Sequence, residues 1–486
     1  MKNSKPINTP LRHNIGGRCR LLFLVWHGFW FLVLLSILAL LWLPFIQLHN
    51  RSILAFSGFC ATLAALMLVY SLRPRGWTNT NFTPKNSSRI SRESFQPLYK
   101  ILQQLGRSLG VSAPATISIT EKNCVAIQAT RHWNGKLKSL QVDIGLPLFG
   151  TLSEAELSSM ITYELGQFFS GSVPLAPFVY RTRLRLINAV TDLDNSIYFL
   201  DIFFRSFARL FLTLSHKIAR EHVFSADALA AQTFGVIAAR AAIEKTHLNG
   251  PMWSTYLKHE LRPNIDRGAR LPIFDGFKRF CKPTAKRAAV QNAIYYEANR
   301  SIAEFDGQPS LAERVATMIP GAKPAYPPLA DCLHLLGGEI AAENLWYSQF
   351  NQQKLSMCSW DNYGEQIFQS SIQQRFEEGW MNPGKLALTE LLGLVRESDD
   401  LWDKIKPSAV TYLSPQGKRN YTLATLEEWA MACLIDRGFI AKISPGQAIM
   451  MERAEQMVNV ADLIAAALAG SLKSASLKQY DRLAVQ

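Results

Sequence analysis

The stretch Thr151–Gly171, TLSEAELSSMITYELGQFFSG, decides how the rest of the chain is read. Ser153 followed three residues later by Glu156 is a capping box, which predicts that a helix starts here. On that helix Tyr163 and Gln167 stand four residues apart and share a face, with Glu164 beside them.

Upstream, Leu146-Pro147-Leu148 closes a β-rich region. Thr116–Thr120, Cys124–Thr130 and Ser139–Ile144 read as strands, the last two joined through Asn134-Gly135, a hairpin turn signal, so a small antiparallel sheet is expected. A helix is expected over Phe95–Leu109. Downstream, apolar residues from Ile197 to Leu214 recur at helical spacing, interrupted by Asp201, Arg205 and Arg209; this is the pattern of an amphipathic core helix, with a helix lying in the membrane interface as the alternative, and the three charges disfavour a full span. Ala219–Gly235 reads as a further helix, and Pro309-Ser310 before Glu313-Arg314 as the start of another. Beyond Pro324 the chain is richer in Trp and Gln, and Ser444-Pro445 is expected to open a long helix to about Leu468. The fold class expected is α+β, mainly helical.

The chain has 486 residues, 48% hydrophobic and 19% charged, with a formal net charge of +14. This suits a folded protein with a membrane portion. Basic residues are dispersed and several flank apolar runs, so anionic lipid is a better partner than nucleic acid. Seven scattered cysteines without a C-x-x-C pair point to a reducing compartment. Leu21–Leu48 and Ser52–Leu72 lack Asp, Glu, Lys and Arg and are each long enough to span a bilayer. With only His49-Asn50-Arg51 between them they are expected to form a transmembrane hairpin, and a cleaved signal peptide is the competing reading. Lys2, Lys5, Arg12, Arg18 and Arg20 before it, and Arg73 and Arg75 after it, place both termini and the main domain in the cytoplasm of an inner or plasma membrane. The expected organisation is a basic N-terminus over 1–20, the hairpin over 21–72, a linker over 73–94, a main domain over 95–323 and a helical C-terminal region over 324–486.

Several pieces in order resemble the HtpX-like family of membrane-anchored zinc metallopeptidases, relatives of the CAAX prenyl protease, over roughly Ser94–Met318. The run GLPLFGTLSEAEL from Gly145 to Leu157 resembles the approach to that family's metal helix, and Glu164-Leu165-Gly166 with Phe168 the end of its His-Glu-Leu-Gly-His-Phe. Arg220, His222, Ala226 and Asp227 resemble its second motif, and Gln308-Pro309 through Arg314 its later His-Pro-x-x-x-x-Arg element.

The departures fall on the chemistry. In such an enzyme two histidines at the positions of Tyr163 and Gln167 would grip zinc while the glutamate between them activates water. The third ligand position is Val223, and the later histidine corresponds to Gln308. The resemblance leaves Glu164 at the general-base position, Asp227 supporting the site, and Arg314 in the later motif. No metal is therefore expected, and the implied function is an inactive, membrane-anchored pseudopeptidase that binds a peptide or membrane protein, with the strand around Ser139–Ile144 adding a peptide by β-augmentation. The alternative is an active zinc-dependent endopeptidase with an atypical site built from Glu164, Asp227 and His222. Glu221 and His222 point about 200° and 100° away from Val223 round the helix, which favours surface or supporting roles for them. His132, His216, His247 and His259 are isolated in the sequence. A third reading places function in the region after Pro324.

Overall fold

The computed structural model describes residues 11–46, 87–90, 95–108, 116–131, 137–169, 175–192, 198–282, 307–325, 327–350, 354–377, 381–396, 398–406 and 413–481. Helices dominate them. The chain divides into two compact units, Met1–Pro251 with Ala289–Gln349, and Met252–Ala288 with Phe350–Gln486.

The first unit opens with α1 (Leu11–Ile46), followed by β1 (Ser87–Ile90), α2 (Gln96–Ser108), β2 (Thr116–Thr120), β3 (Val125–Arg131) and β4 (Leu137–Gly145). Within α1, Gly16–Ala39 is long and apolar enough to cross a membrane. The expected second span, Ser52–Leu72, lies outside the described residues, as does the Asn134-Gly135 turn.

The four strands form one sheet in the order β1-β2-β4-β3. β3 and β4 pair antiparallel, as a hairpin requires, but β2 and β4 run parallel. The expectation of an antiparallel sheet is corrected here. β4 inserts between its two predecessors, a central position that suits its enclosed Leu140, Val142 and Ile144. Two consequences follow. Ser139–Ile144 lies in a central strand with both edges paired, so it cannot accept a peptide; β3 and β1 are the sheet's edges. β1 itself falls in the segment expected to be linker.

After β4 come α3 (Glu154–Phe169), α4 (Ala176–Asp192), α5 (Tyr198–Phe234) and α6 (Val236–Tyr256), with α7 (Leu311–Met318) later in the chain. α5 fuses the two helices expected at Ile197–Leu214 and Ala219–Gly235 into one of 37 residues. No Gly or Pro interrupts Ser215–Ile218, and the helix stops at Gly235, whose φ of 89° suits glycine. Its first half buries Phe204, Phe207 and Phe211 against Cys19, Leu22 and Trp26 of α1 and Val179 and Leu186 of α4. Its second half lies along α3, where Gly166 allows close approach: a Cβ there would stand 3.0 Å from Leu229 and 3.5 Å from Ala226.

The division at Pro324 is also corrected. Ala330 N and Cys332 N donate to Thr151 O and Phe149 O at 3.2 and 2.8 Å, which returns the chain after Pro324 to the first unit. Met252–Ala288 instead belongs with the C-terminal part: Ala269–Arg270 pairs in parallel with Ser356–Met357, and Trp360 Nε1 donates to Pro272 O at 2.8 Å. In that second unit the long helix expected from Ser444 is replaced by the strands Met450–Arg453 and Gln456–Asn459, which complete an antiparallel meander with Ile440–Lys442, and by a short helix over Val460–Leu468. Gly446, at φ of 75°, turns the chain just after Ser444, Ala454, at φ of 52°, turns it again between the last two strands, and the Asn459 side chain caps the helix that follows.

α3 is anchored at its start. Ser153 N donates to Glu156 Oε2 at 2.8 Å and Glu156 N to Ser153 Oγ at 3.4 Å, the capping box expected from sequence. Glu156 also receives Lys245 Nζ from α6 at 2.9 and 2.8 Å, in a buried pair. Replacing Lys245 with Met should leave that carboxylate without its partner and cost about 3–5 kcal/mol in unfolding experiments on the full chain. An unchanged unfolding midpoint would contradict the anchor.

Candidate functional site: a clamped guanidinium at an open pocket

Tyr163 and Gln167 are brought together as their spacing predicts, and they satisfy one another. Gln167 Nε2 donates to Tyr163 Oη at 2.6 Å, and both residues are buried. Burial raises the Tyr163 pKa, opposed by nearby Arg314, so the phenol stays neutral.

Over the Tyr163 ring lies the Arg314 guanidinium, 4.5 Å from the centroid. Arg314 is delivered by α7, which starts with its own capping box: Ser310 N donates to Glu313 Oε2 at 2.8 Å and Glu313 N to Ser310 Oγ at 3.3 Å. Its Nε and Nη2 donate to Asp227 Oδ2 and Oδ1 at 2.9 and 2.6 Å, a bidentate pair with Asp227 fully enclosed on α5. Burial works against the Arg314 charge, but Tyr163, Asp227 and Glu164 more than offset it and its pKa is raised. Arg220, the other cation of the second motif, turns outward and pairs with Glu313 at 2.5 Å.

Glu164 makes no hydrogen bond among the described residues. Desolvation pushes its carboxyl up to about 8; Arg314 pulls the other way and Asp227 adds to the rise. Near neutral pH it is therefore mainly a neutral acid and a hydrogen-bond donor. Cys124, at the turn into β3, is close enough to Glu164 for that carboxyl to help raise its thiol pKa after burial has done so. The site thus adjoins an edge strand of the sheet.

His222 is enclosed rather than a surface group. Its Nε2 bonds the Gln167 carbonyl oxygen at 2.6 Å, at the last turn of α3, while Nδ1 has no partner among the described residues. Burial lowers its pKa, with the Gln167 carbonyl opposing, so the ring is neutral. Val223 is buried beside it, an apolar packing residue.

Several of these groups line a pocket of about 320 Å³ that is open to solvent. Tyr163, Glu164, Gln167 and Arg314 line it, and Gln308 sits exposed at its rim. Tyr180 from α4 and Ile243, Thr246 and His247 from α6 complete the wall. Thr246 Oγ1 is buried without a partner among the described residues. His247, isolated in sequence, is thus a pocket residue, and burial with Arg314 beside it lowers its pKa. The one signal pointing to this wall was spacing: Ile243, Thr246 and His247 share a helix face. Nothing in sequence tied that face, or Tyr180, to Glu164.

The donors do not fit zinc. A catalytic zinc needs about three protein ligands. Both Asp227 oxygens are committed to Arg314, His222 Nε2 to a carbonyl, and Tyr163 to a neutral phenol. Among the described residues no group of three His, Cys, Asp or Glu is placed to hold a metal. A divalent cation would also face the Arg314 charge. What the pocket does present is a convergence of donors: Arg314 Nη1, which Asp227 does not engage, and the protonated Glu164 carboxyl. Such a lining receives an acceptor, a carbonyl or a carboxylate.

Comparison with protein-family models, curated proteins and solved structures finds no match to this chain.

The raised Glu164 pKa carries a linkage consequence. The folded state holds a proton that the unfolded state releases, so stability present below the ordinary 4.5 is lost as pH climbs through about 8. Melting curves of wild type should fall with pH across that window more steeply than those of Glu164→Gln, which has no carboxyl to ionise. Parallel curves would contradict a buried, protonated Glu164.

Proposed function

We propose that this chain is a membrane-anchored pseudopeptidase, a binding protein on a fold of the HtpX-like kind in which a protein-held guanidinium has displaced zinc chemistry. One observation carries the reading: Arg314, clamped by Asp227, lies over the ring of Tyr163, one of the positions where the resemblance puts a metal ligand, and brings a positive charge there. Glu164 then has no polarised water to deprotonate and serves as a donor. The ligand is an extended peptide segment of a membrane or unfolded protein. It adds to the edge strand β3 and directs a carbonyl or carboxylate at Arg314 and Glu164. The apolar helix Gly16–Ala39 supports anchoring in the membrane, where such partners are presented.

A second reading, an active zinc endopeptidase with an atypical site, draws on one feature, the enclosed His222, whose Nδ1 has no partner among the described residues. One experiment separates the two. Full-length protein in detergent should contain far less than one zinc per chain, leave casein intact with or without chelator, and still bind a fluorescent unstructured peptide with an acidic side chain, more weakly in the rim variant Gln308→Ala. Stoichiometric zinc with chelator-sensitive cleavage would overturn the binding-protein reading.

A further inference from the structure

A second cavity, of about 400 Å³, lies away from the candidate site, between the start of α1 and the middle of α5. Leu21, Leu22 and Leu214 form its apolar wall, with Arg18 and Lys217 beside them. The packing explains why those two cations meet. Trp26 lies 5.9 Å from Phe211, and Phe29 stacks on Phe207 at 3.8 Å, so α5 descends in number as α1 ascends and the helices are antiparallel. Arg18 stands three residues before Leu21, and Lys217 three after Leu214. Both charges therefore reach the same end of the helix pair.

Beyond that end the surface changes character. Leu21, Leu24, Phe31, Leu32, Leu35 and Leu38 make an exposed stripe along α1, with Leu24 at 65% and Leu32 at 63% exposure. Leu210 and Leu214, one turn apart on α5, are exposed as well. Arg205 and Arg209 project roughly 100° or more round α5 from Leu210, away from this strip. Neither Arg18 nor Lys217 has an ion-pair partner among the described residues. Two unneutralised cations at the head of an apolar furrow match an amphiphile with an anionic head and hydrocarbon tails.

We propose that this cavity binds one anionic phospholipid, its phosphate between Arg18 and Lys217 and its acyl chains along Leu21 and Leu214. The proposal rests on the membrane-anchored reading. It also fixes a level: His222 lies five residues past Lys217 on the same helix, about 8 Å along the axis, so the candidate pocket would open just outside the headgroups.

Native mass spectrometry of the full-length protein in detergent, with phosphatidylglycerol or phosphatidylcholine added, tests this. One phosphatidylglycerol should be retained per chain in preference to phosphatidylcholine, and Arg18→Gln with Lys217→Gln should cut its occupancy about tenfold or more. Arg20→Gln, about 200° round α1 from Arg18, should leave it unchanged. Millimolar inorganic phosphate should not displace the lipid. Equal loss with Arg20→Gln would mean diffuse charge, unchanged occupancy in the double variant would mean no site, and displacement by phosphate would mean a soluble-anion site; each overturns the proposal. Alkaline carbonate extraction of membranes keeps the two readings apart. Release of wild type would overturn anchoring itself, whereas retention with unchanged lipid occupancy overturns only the lipid site.

Discussion

The bidentate pair between Asp227 and Arg314 is the interaction on which the first unit's polar interior depends. Both partners are enclosed, and they come from helices far apart in the chain. Losing either would strand a buried charge at a cost of about 3–5 kcal/mol. The pair ties α7 to α5, and the guanidinium it holds then ties α7 to Tyr163 on α3. The two capping boxes matter for the same reason, since each fixes where a short polar sequence enters its helix and hence which way Tyr163 and Arg314 face.

The same charge organises the proton inventory around it. Burial alone would drive Arg314, Glu164, His222 and His247 toward neutral forms. Only Arg314 has a carboxylate engaged on two atoms, so it keeps its charge while its neighbours stay neutral. A pocket with one fixed cation and several neutral donors and acceptors is arranged to hold a ligand. Among the described residues, no group of three His, Cys, Asp or Glu is placed to hold a metal.

Local features were legible in the amino-acid order and distant ones were not. The box at Ser153 and Glu156, the helix over Gln96–Ser108, the β3–β4 pairing and the mutual reach of Tyr163 and Gln167 all follow from spacings of a few residues. The parallel pairing of β2 with β4 was hidden because it depends on a later strand inserting between two earlier ones. The run after Ser444 has the composition of a helix, yet the chain turns at Gly446 and Ala454, both at positive φ, and forms strands. The burial of His222 is not legible for a related reason: helix angles relative to Val223 locate a face, but which face is buried depends on how α3 and α4 pack against α5. Tyr180 and His247 reach the pocket only through tertiary structure.

A double-mutant cycle on Asp227→Asn and Arg314→Met, read by unfolding of the full chain, tests the central claim most directly. Each single change should be costly and the double change much less so than their sum, a coupling of about 1–3 kcal/mol. Additivity to within about 0.5 kcal/mol would mean that the two residues do not depend on one another, and the clamped guanidinium could not be the feature that organises this site.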